Sequence, residues 1–374
     1  MQEPARRQEA KLDGRSPLPV AMSASQDAPL HTLFLPFIQG LLRWPASPAL
    51  FLRARDGWPL RLHAASGGLC CEQSFRPFAD ALERAGWEVL DENAVDAAAT
   101  RYPLVLVLPP RQRDEARALL ARAIALAAPG GVVVACQAND EGARSGESDL
   151  QQLAGLGGKL TKHHCRVYWT APLDGRHDAA LLARWRWLDA PRPILDGRFV
   201  SRPGVFAWDR VDPASVLLAE QFPFDLAGQG ADLGAGYGYL SSALLQRCPQ
   251  VGALDLYEAE ARALALARDN LQPFAEKVQL GYHWHDVTAG LDGRYDFIVS
   301  NPPFHAPGRA ERPDIGRRFI EVAAQALRPG GRLLLVANRH LPYEQALGAQ
   351  FGTVQVLAER DGFKAILATR GGRV

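Results

Sequence analysis

Tyr295-Asp-Phe-Ile-Val-Ser-Asn-Pro-Pro-Phe-His305 is the stretch from which the rest of this chain is read. Phe297 to Ser300 is a short apolar, β-rich run of the kind that forms a buried strand in a parallel sheet. Asn301-Pro302-Pro303 ends it, because neither proline donates to a sheet ladder and each fixes its own φ. A stiff turn at the C-terminal end of a strand stands where open α/β sheets bind ligands. It holds the Asn301 carboxamide and nearby backbone carbonyls outward, with the Phe304 ring alongside. Such a set suits a flat substrate with an exocyclic amine: acceptors for its hydrogens and a ring for its face. A strand that merely ends in a proline turn, with Phe304 packed in the core, has the same composition. The surrounding sequence has to decide.

The same order of features occurs twice. Tyr102-Pro-Leu-Val-Leu-Val-Leu-Pro-Pro110 aligns with Tyr295-Asp-Phe-Ile-Val-Ser-Asn-Pro-Pro303. Each is followed by an Ala/Leu-rich helix, expected over Asp114 to Ala128 in the first copy with Asp114 as its N-cap. Each then has Pro-Gly-Gly (129–131 and 329–331) and an apolar strand ending in Ala-Asn (138–139 and 338–339). This series predicts an α/β fold of two tandem Rossmann-like domains made by internal duplication, the first degenerate. Leu108 takes the place of Asn301, and the first half lacks a glycine-rich turn, so it reads as the copy without the site. The expected boundaries are a disordered tail over 1–28, a degenerate domain over 29–195 and a complete domain over 196–374. Residues 172–199 read as the connection, where Trp185 and Trp187 are either core or a contact surface.

Ala231-Asp-Leu-Gly-Ala-Gly-Tyr-Gly-Tyr239 lies between a short strand and a helix. Glycines 234, 236 and 238 allow a tight turn and close backbone approach to a ligand at a helix N-terminus. The position three after Gly236 is Tyr239, so the glycine spacing of a nicotinamide dinucleotide site is absent. Ala253 to Tyr257 reads as the next strand, and Glu258 at its end is placed to accept both ribose hydroxyls of a nucleoside. Asp286, near the end of a third strand, is placed to accept from an adenine amino group.

Taken together, Asp232-Leu-Gly-Ala-Gly-Tyr-Gly238, Glu258, Asp286 and Asn301-Pro-Pro-Phe-His305 resemble a class I S-adenosylmethionine-dependent methyltransferase. Asn-Pro-Pro-Phe-His in particular resembles the bacterial ribosomal RNA guanine-N2 methyltransferases, of the RsmC and RlmG types with two tandem methyltransferase-like domains. The similarity extends to Gly204-Val-Phe206 with Asp212 and Ser215, to Asn338-Arg-His-Leu-Pro-Tyr343, to Phe351-Gly352 and to Phe363-Lys364. In the first half it touches Asn139-Asp-Glu-Gly-Ala-Arg-Ser145 and His164-Cys-Arg166. Coverage is good from Tyr102 onward and poor before it.

The resemblance implies S-adenosylmethionine as cofactor, held by Asp232, Gly234, Ala235, Gly236, Gly238, Glu258, Asp286 and Asn301. It implies guanine N2 as target, with 16S rRNA as substrate and 23S rRNA as the alternative, and a first domain that helps to bind RNA. Asn301, Pro302, Pro303 and Phe304 are then the catalytic turn. Phe304, His305, Arg309 and Arg312 are the expected substrate contacts, with His305 either taking the amine proton or packing. An adenine- or glutamine-directed enzyme would more usually carry Tyr after the two prolines, and a non-enzymatic RNA-binding protein would tolerate damage in the glycine turn. Neither departure occurs here.

Composition sets outer bounds. With 374 residues the chain is long enough for two cores, and its net charge of +1 gives no global pull toward nucleic acid, so any basic surface is local. Basic residues are nearly all arginine, with lysine only at 11, 159, 162, 277 and 364. The cysteines at 70, 71, 136, 165 and 248 show no zinc-like spacing and read as reduced thiols of a cytosolic protein. No apolar run of about 18 residues is present to cross a membrane, no metal site is indicated, and a monomer is expected.

Overall fold

The computed structural model describes residues 27–64, 68–303, 313–340 and 343–372. Two seven-stranded sheets succeed one another along the chain. The first contains β1 (Ala49–Leu52), β2 (Leu69–Glu72), β3 (Val89–Leu90), β4 (Tyr102–Val107), β5 (Ala127–Ala138), β6 (Gly158–Lys162) and β7 (Cys165–Trp169), in the order 3-2-1-4-5-7-6. A hairpin of β8 (Arg192–Ile194) and β9 (Phe199–Ser201) lies in the connection. The second sheet contains β10 (Ala227–Leu233), β11 (Gln250–Glu258), β12 (Gln279–Trp284), β13 (Tyr295–Ser300), β14 (Leu327–Asn338), β15 (Thr353–Arg360) and β16 (Phe363–Thr369). Its order, 12-11-10-13-14-16-15, repeats the first strand for strand. Neighbours pair in parallel except at β7 and β16, each antiparallel to both of its partners. The expected pair of Rossmann-like units is present.

Why Phe297 to Val299 of β13 are all apolar follows from its two buried faces. Phe297 and Val299 pack toward the helices Pro213–Glu220, Tyr239–Arg247 and Ala261–Asn270, while Ile298 faces Pro313–Ala326 and Tyr343–Gln350. The sheets change winding direction between β1 and β4 and again between β10 and β13, and the crevice there opens at the strand C-termini.

Three local expectations need correction. Pro129-Gly130-Gly131 does not separate helix from strand: the helix Arg113–Leu126 runs directly into β5, and the triplet kinks that strand. The β4–β5 register shifts between Tyr102 and Leu104, and the β13–β14 register shifts between Tyr295 and Phe297. Gly130 and Gly330 share a φ of 77°, which side chains with a Cβ rarely adopt, so the repeated triplet is a repeated strand kink. The helix is capped by Gln112, whose Oε1 accepts from Glu115 N at 2.6 Å, and not by Asp114. The tail boundary at 28 is also late. Asp27 caps the helix Ala28–Leu33 and pairs with Arg55 at 3.2 Å, whereas residues 1–26 lie outside the described ones.

The five cysteines carry free thiols, and Cys71, Cys136, Cys165 and Cys248 are buried. Burial pushes the Cys71 thiol up to about 12, as expected of an unreactive core residue. Among the described residues no helix is long and apolar enough to cross a membrane.

The halves meet through a short antiparallel bridge. Arg76 N donates to the Ala259 carbonyl at 2.7 Å and Ala261 N to the Ser74 carbonyl at 2.9 Å, on either side of the Phe75–Glu260 pair. Leu52 pairs with Glu72 and Leu233 with Tyr257, so Ser74–Arg76 and Ala259–Ala261 occupy matching places in their copies. The contact is nearly self-complementary, as across a two-fold axis.

Candidate active site

The site assembles at the C-terminal ends of β10, β11 and β13. After β10 the chain turns through Gly234, Gly236 and Gly238, all with positive φ. Gly238 opens the helix Tyr239–Arg247 at φ 90°, and a Cβ there would stand 3.3 Å from the Ala267 Cα. Only glycine lets this turn lie so close to the neighbouring helix. A Cβ on Gly236 would meet nothing within 4 Å, so the backbone there faces open space. One on Gly234 would be 3.9 Å from the Asn301 carbonyl oxygen, which sets the glycine turn and the proline turn side by side.

Glu258 is half-buried at the end of β11. Its Oε2 accepts from Gly236 N and its Oε1 from Glu260 N, both at 2.8 Å. Burial raises its pKa, and those backbone donors partly oppose the rise. Each carboxylate oxygen keeps a second lone pair, which suits two vicinal hydroxyls. Asp286 caps the short turn Val287–Ala289, with Oδ1 accepting from Thr288 N at 2.9 Å and Thr288 Oγ1 at 2.7 Å. Asp232 is fully buried beneath the glycine turn. Its Oδ2 accepts from Ser241 Oγ at 2.7 Å, and its Oδ1 has no partner among the described residues. Burial pushes this carboxyl up to about 7, with Ser241 restraining the shift.

That perturbation predicts a pH signature. The folded state holds a proton on Asp232 between the ordinary value of 3.8 and about 7, where the unfolded chain has released it. Stability from this group therefore falls as pH rises through that window. Asp232→Asn should remove this part of the slope. In denaturant melts the variant should gain on the wild type between pH 5 and pH 8, and a constant difference would refute the assignment.

Asn301 is oriented by residues far away in sequence. Its Nδ2 donates to Asp212 Oδ2 at 2.9 Å and to Ser215 Oγ at 2.8 Å. Asp212 is the N-cap of Pro213–Glu220, with Oδ2 also accepting from Ser215 N at 2.9 Å. A carboxylate only accepts, so the amide hydrogens face Asp212 and Asn301 Oδ1 faces away from it. In the sequence Asp212 and Ser215 stand out only as points of family similarity; a helix-cap pattern does not announce a partner 89 residues on. Pro302 is buried and Pro303 exposed. Phe304, His305, Arg309 and Arg312 lie outside the described residues.

The first sheet, among the described residues, has none of this. In register, Gln73 is the counterpart of Glu258, and its amide is used internally: Nε2 donates to the Ala54 carbonyl at 2.7 Å and Oε1 accepts from Phe75 N at 2.8 Å. Arg53 stands in place of Gly234 and pairs with Glu115 at 2.9 Å, and Leu108 is buried at the place of Asn301. The remaining space is a cavity of about 40 Å³, into which Arg262 of the second half also projects. It has room for roughly a water molecule and no more.

An S-adenosylmethionine site fits the second sheet. The open backbone at Gly236 admits a ligand, Glu258 offers acceptors to a ribose, and the unpartnered Asp232 oxygen lies where an ammonium group would be welcome. A doubly wound sheet with a glycine turn, a ribose-spaced acid and an Asn-Pro-Pro turn defines a class I methyltransferase. Residues 196–367 match the family described as Methyltransferase small domain. Ribosomal RNA small subunit methyltransferase C of Shewanella loihica is 31% identical over 264 residues, covering 70% of this chain and 76% of that protein. The Pectobacterium atrosepticum protein of the same name is 32% identical over 264 residues, covering 70% and 73%. The T. thermophilus 16S rRNA N2 G1207 methyltransferase, solved with AdoMet and guanosine, superposes with a TM-score of 0.75 at 26% identity, covering 93% of each chain. The chain belongs to the ribosomal RNA small subunit methyltransferase C family.

Proposed function

We propose that this protein transfers a methyl group from S-adenosylmethionine to the exocyclic N2 amine of a guanosine in 16S rRNA. The observation that carries the reading is the Asn301 carboxamide, fixed by Asp212 and Ser215 with Oδ1 turned away, beside the glycine turn. Bound S-adenosylmethionine supplies a methyl already activated as a sulfonium. Asp232, Gly234, Ala235, Gly236, Gly238, Glu258 and Asp286 would hold it, so positioning would do most of the remaining work. The guanine amine is a poor nucleophile, its lone pair delocalised into the ring. Asn301 Oδ1 and a carbonyl of the Pro302-Pro303 turn accept the amine hydrogens and rotate the lone pair out of conjugation. Phe304 stacks on the extruded base, worth on the order of 1–3 kcal/mol, comparable with the cost of unstacking it. His305, Arg309 and Arg312 contact the RNA. No strong base is needed beforehand, because the amine becomes acidic only as it is alkylated; methyl transfer leaves a neutral thioether, and the released proton passes to water or to His305. The first domain adds RNA affinity, and the protein works as a cytoplasmic monomer.

Mass-spectrometric mapping of N2-methylguanosine in 16S and 23S rRNA, from cells with and without the gene, tests the proposal. Loss of one 16S modification is expected; an unchanged 16S profile refutes it. Glu258→Ala should weaken cofactor binding by about 1.5–3 kcal/mol while the fold persists. Calorimetry returning the wild-type affinity in a folded variant would remove Glu258 from the site.

A further inference from the structure

The segment joining the two halves runs from the helix Ala179–Trp185 to the cap residue Asp212 that orients Asn301. It is anchored at both ends. Trp185 is buried against the first domain, with the Arg117 guanidinium 4.7 Å from its ring centroid. Val205 is buried with Tyr237 of the glycine turn, and the Tyr237 hydroxyl donates to the Arg210 carbonyl at 3.1 Å.

Between these anchors Phe199 packs on Tyr237 and Tyr239, while other side chains of the segment stand in solvent. Trp187 is 69% exposed and Phe206 is 67% exposed, among the most exposed large apolar side chains described. Residues 184–210 carry six arginines against three aspartates, in a chain whose net charge is +1. Arg202 is committed to Asp189 at 2.6 Å, and Arg192 lies over the Trp208 ring. Arg184, Arg186, Arg198 and Arg210 remain exposed to solvent. Arg210 has only its exposed neighbour Asp209 as ion-pair partner among the described residues, at 2.9 Å. Beside Phe206, Ala207 takes a φ of 49°, a region residues with a Cβ seldom enter, so the loop tip is held in a costly conformation.

We propose that this connection is a docking track for unpaired RNA leading to the target guanosine, with Trp187 and Phe206 as stacking platforms and the four arginines facing phosphates. Exposed aromatic rings set singly among guanidinium groups match single-stranded nucleic acid, whose bases stack without sequence preference while its backbone is neutralised. A protein partner would favour a contiguous apolar patch, and here the two exposed rings are interspersed with arginines along the chain. The inference rests on the methyltransferase reading above and deepens it.

The test uses the full chain and an unpaired RNA oligonucleotide. Trp187→Ala and Phe206→Ala should each weaken RNA binding by roughly 5- to 100-fold, and Trp187→Phe should recover most of the loss. Arg184→Ser with Arg186→Ser should reduce the slope of log affinity against log salt by about 1.4. Thermal melts and cofactor calorimetry of the Trp187 and arginine variants should match the wild type. RNA affinity and salt slope unchanged in those variants would overturn the track. So would a defect seen only with assembled small subunits and not with free RNA. Failure of the wild type to methylate any guanosine defeats the functional reading instead, so the two failures are told apart.

Discussion

Asn301→Ala should lower kcat for methyl transfer by about 10²–10³-fold with little effect on cofactor affinity, since Asn301 is one of several residues expected to hold the cofactor. In the proposed mechanism the carboxamide meets the amine most strongly once the lone pair has turned toward the methyl, so its loss is expected to be felt in the transition state. The geometry adds a second expectation. Asp212→Ala should mimic much of the defect by freeing the amide to rotate, and Asp212→Ala with Asn301→Ala should cost little more than Asn301→Ala alone. Leu108 supplies an internal control. Leu108→Ala should cost about 2–5 kcal/mol of stability through a cavity and leave the chemistry of the folded fraction intact. Single-turnover assays with folding checked by thermal melts separate these outcomes. A folded Asn301→Ala enzyme that methylates guanosine near the wild-type rate would sink the mechanism.

Features carried by short-range patterning are legible in the amino-acid sequence itself. The run Tyr295–Pro303 and its echo Tyr102–Pro110 form β13 and β4, and the glycine turn and Glu258 fall at adjacent strand ends. What escapes such a reading depends on neighbours distant in sequence. Pro-Gly-Gly reads as a helix stop from its own residues, yet β4 and β13 recruit the residues before it into strands. Asp114 is a reasonable cap by type, but Gln112 reaches the Glu115 amide. Asp212 looks like any N-cap until the fold brings Asn301 to it. The pairing of Ser74–Arg76 with Ala259–Ala261 joins backbone groups whose side chains carry no signal of it.

Next to that pairing Arg262 meets Glu115, and Glu115→Ala should be strongly destabilising. Glu115 is 4% exposed and accepts from Arg53 at 2.9 Å and from Arg262 at 2.7 Å, so one carboxylate bridges the two halves. Arg262 also pairs with Glu260 at 2.9 Å. Burial alone would raise Glu260, but Arg262 and Arg53 outweigh it and lower its carboxyl to about 2. Its contribution is therefore present above the ordinary 4.5 and is lost only as pH falls toward about 2. Removing Glu115 leaves the Arg53 and Arg262 guanidinium groups without their shared carboxylate in a largely buried cleft, at a cost of about 3 kcal/mol. Because Glu260 N also holds Glu258, the strain should reach the cofactor site and weaken S-adenosylmethionine by up to about tenfold, or 1.4 kcal/mol. Arg262→Ala should cost less, since Arg53 still pairs Glu115, and the double variant should cost less than the sum. Additive losses in denaturant melts, or a destabilised Glu115→Ala protein with unaltered cofactor affinity, would show that the filled cleft of the first domain does not brace the ribose loop of the second.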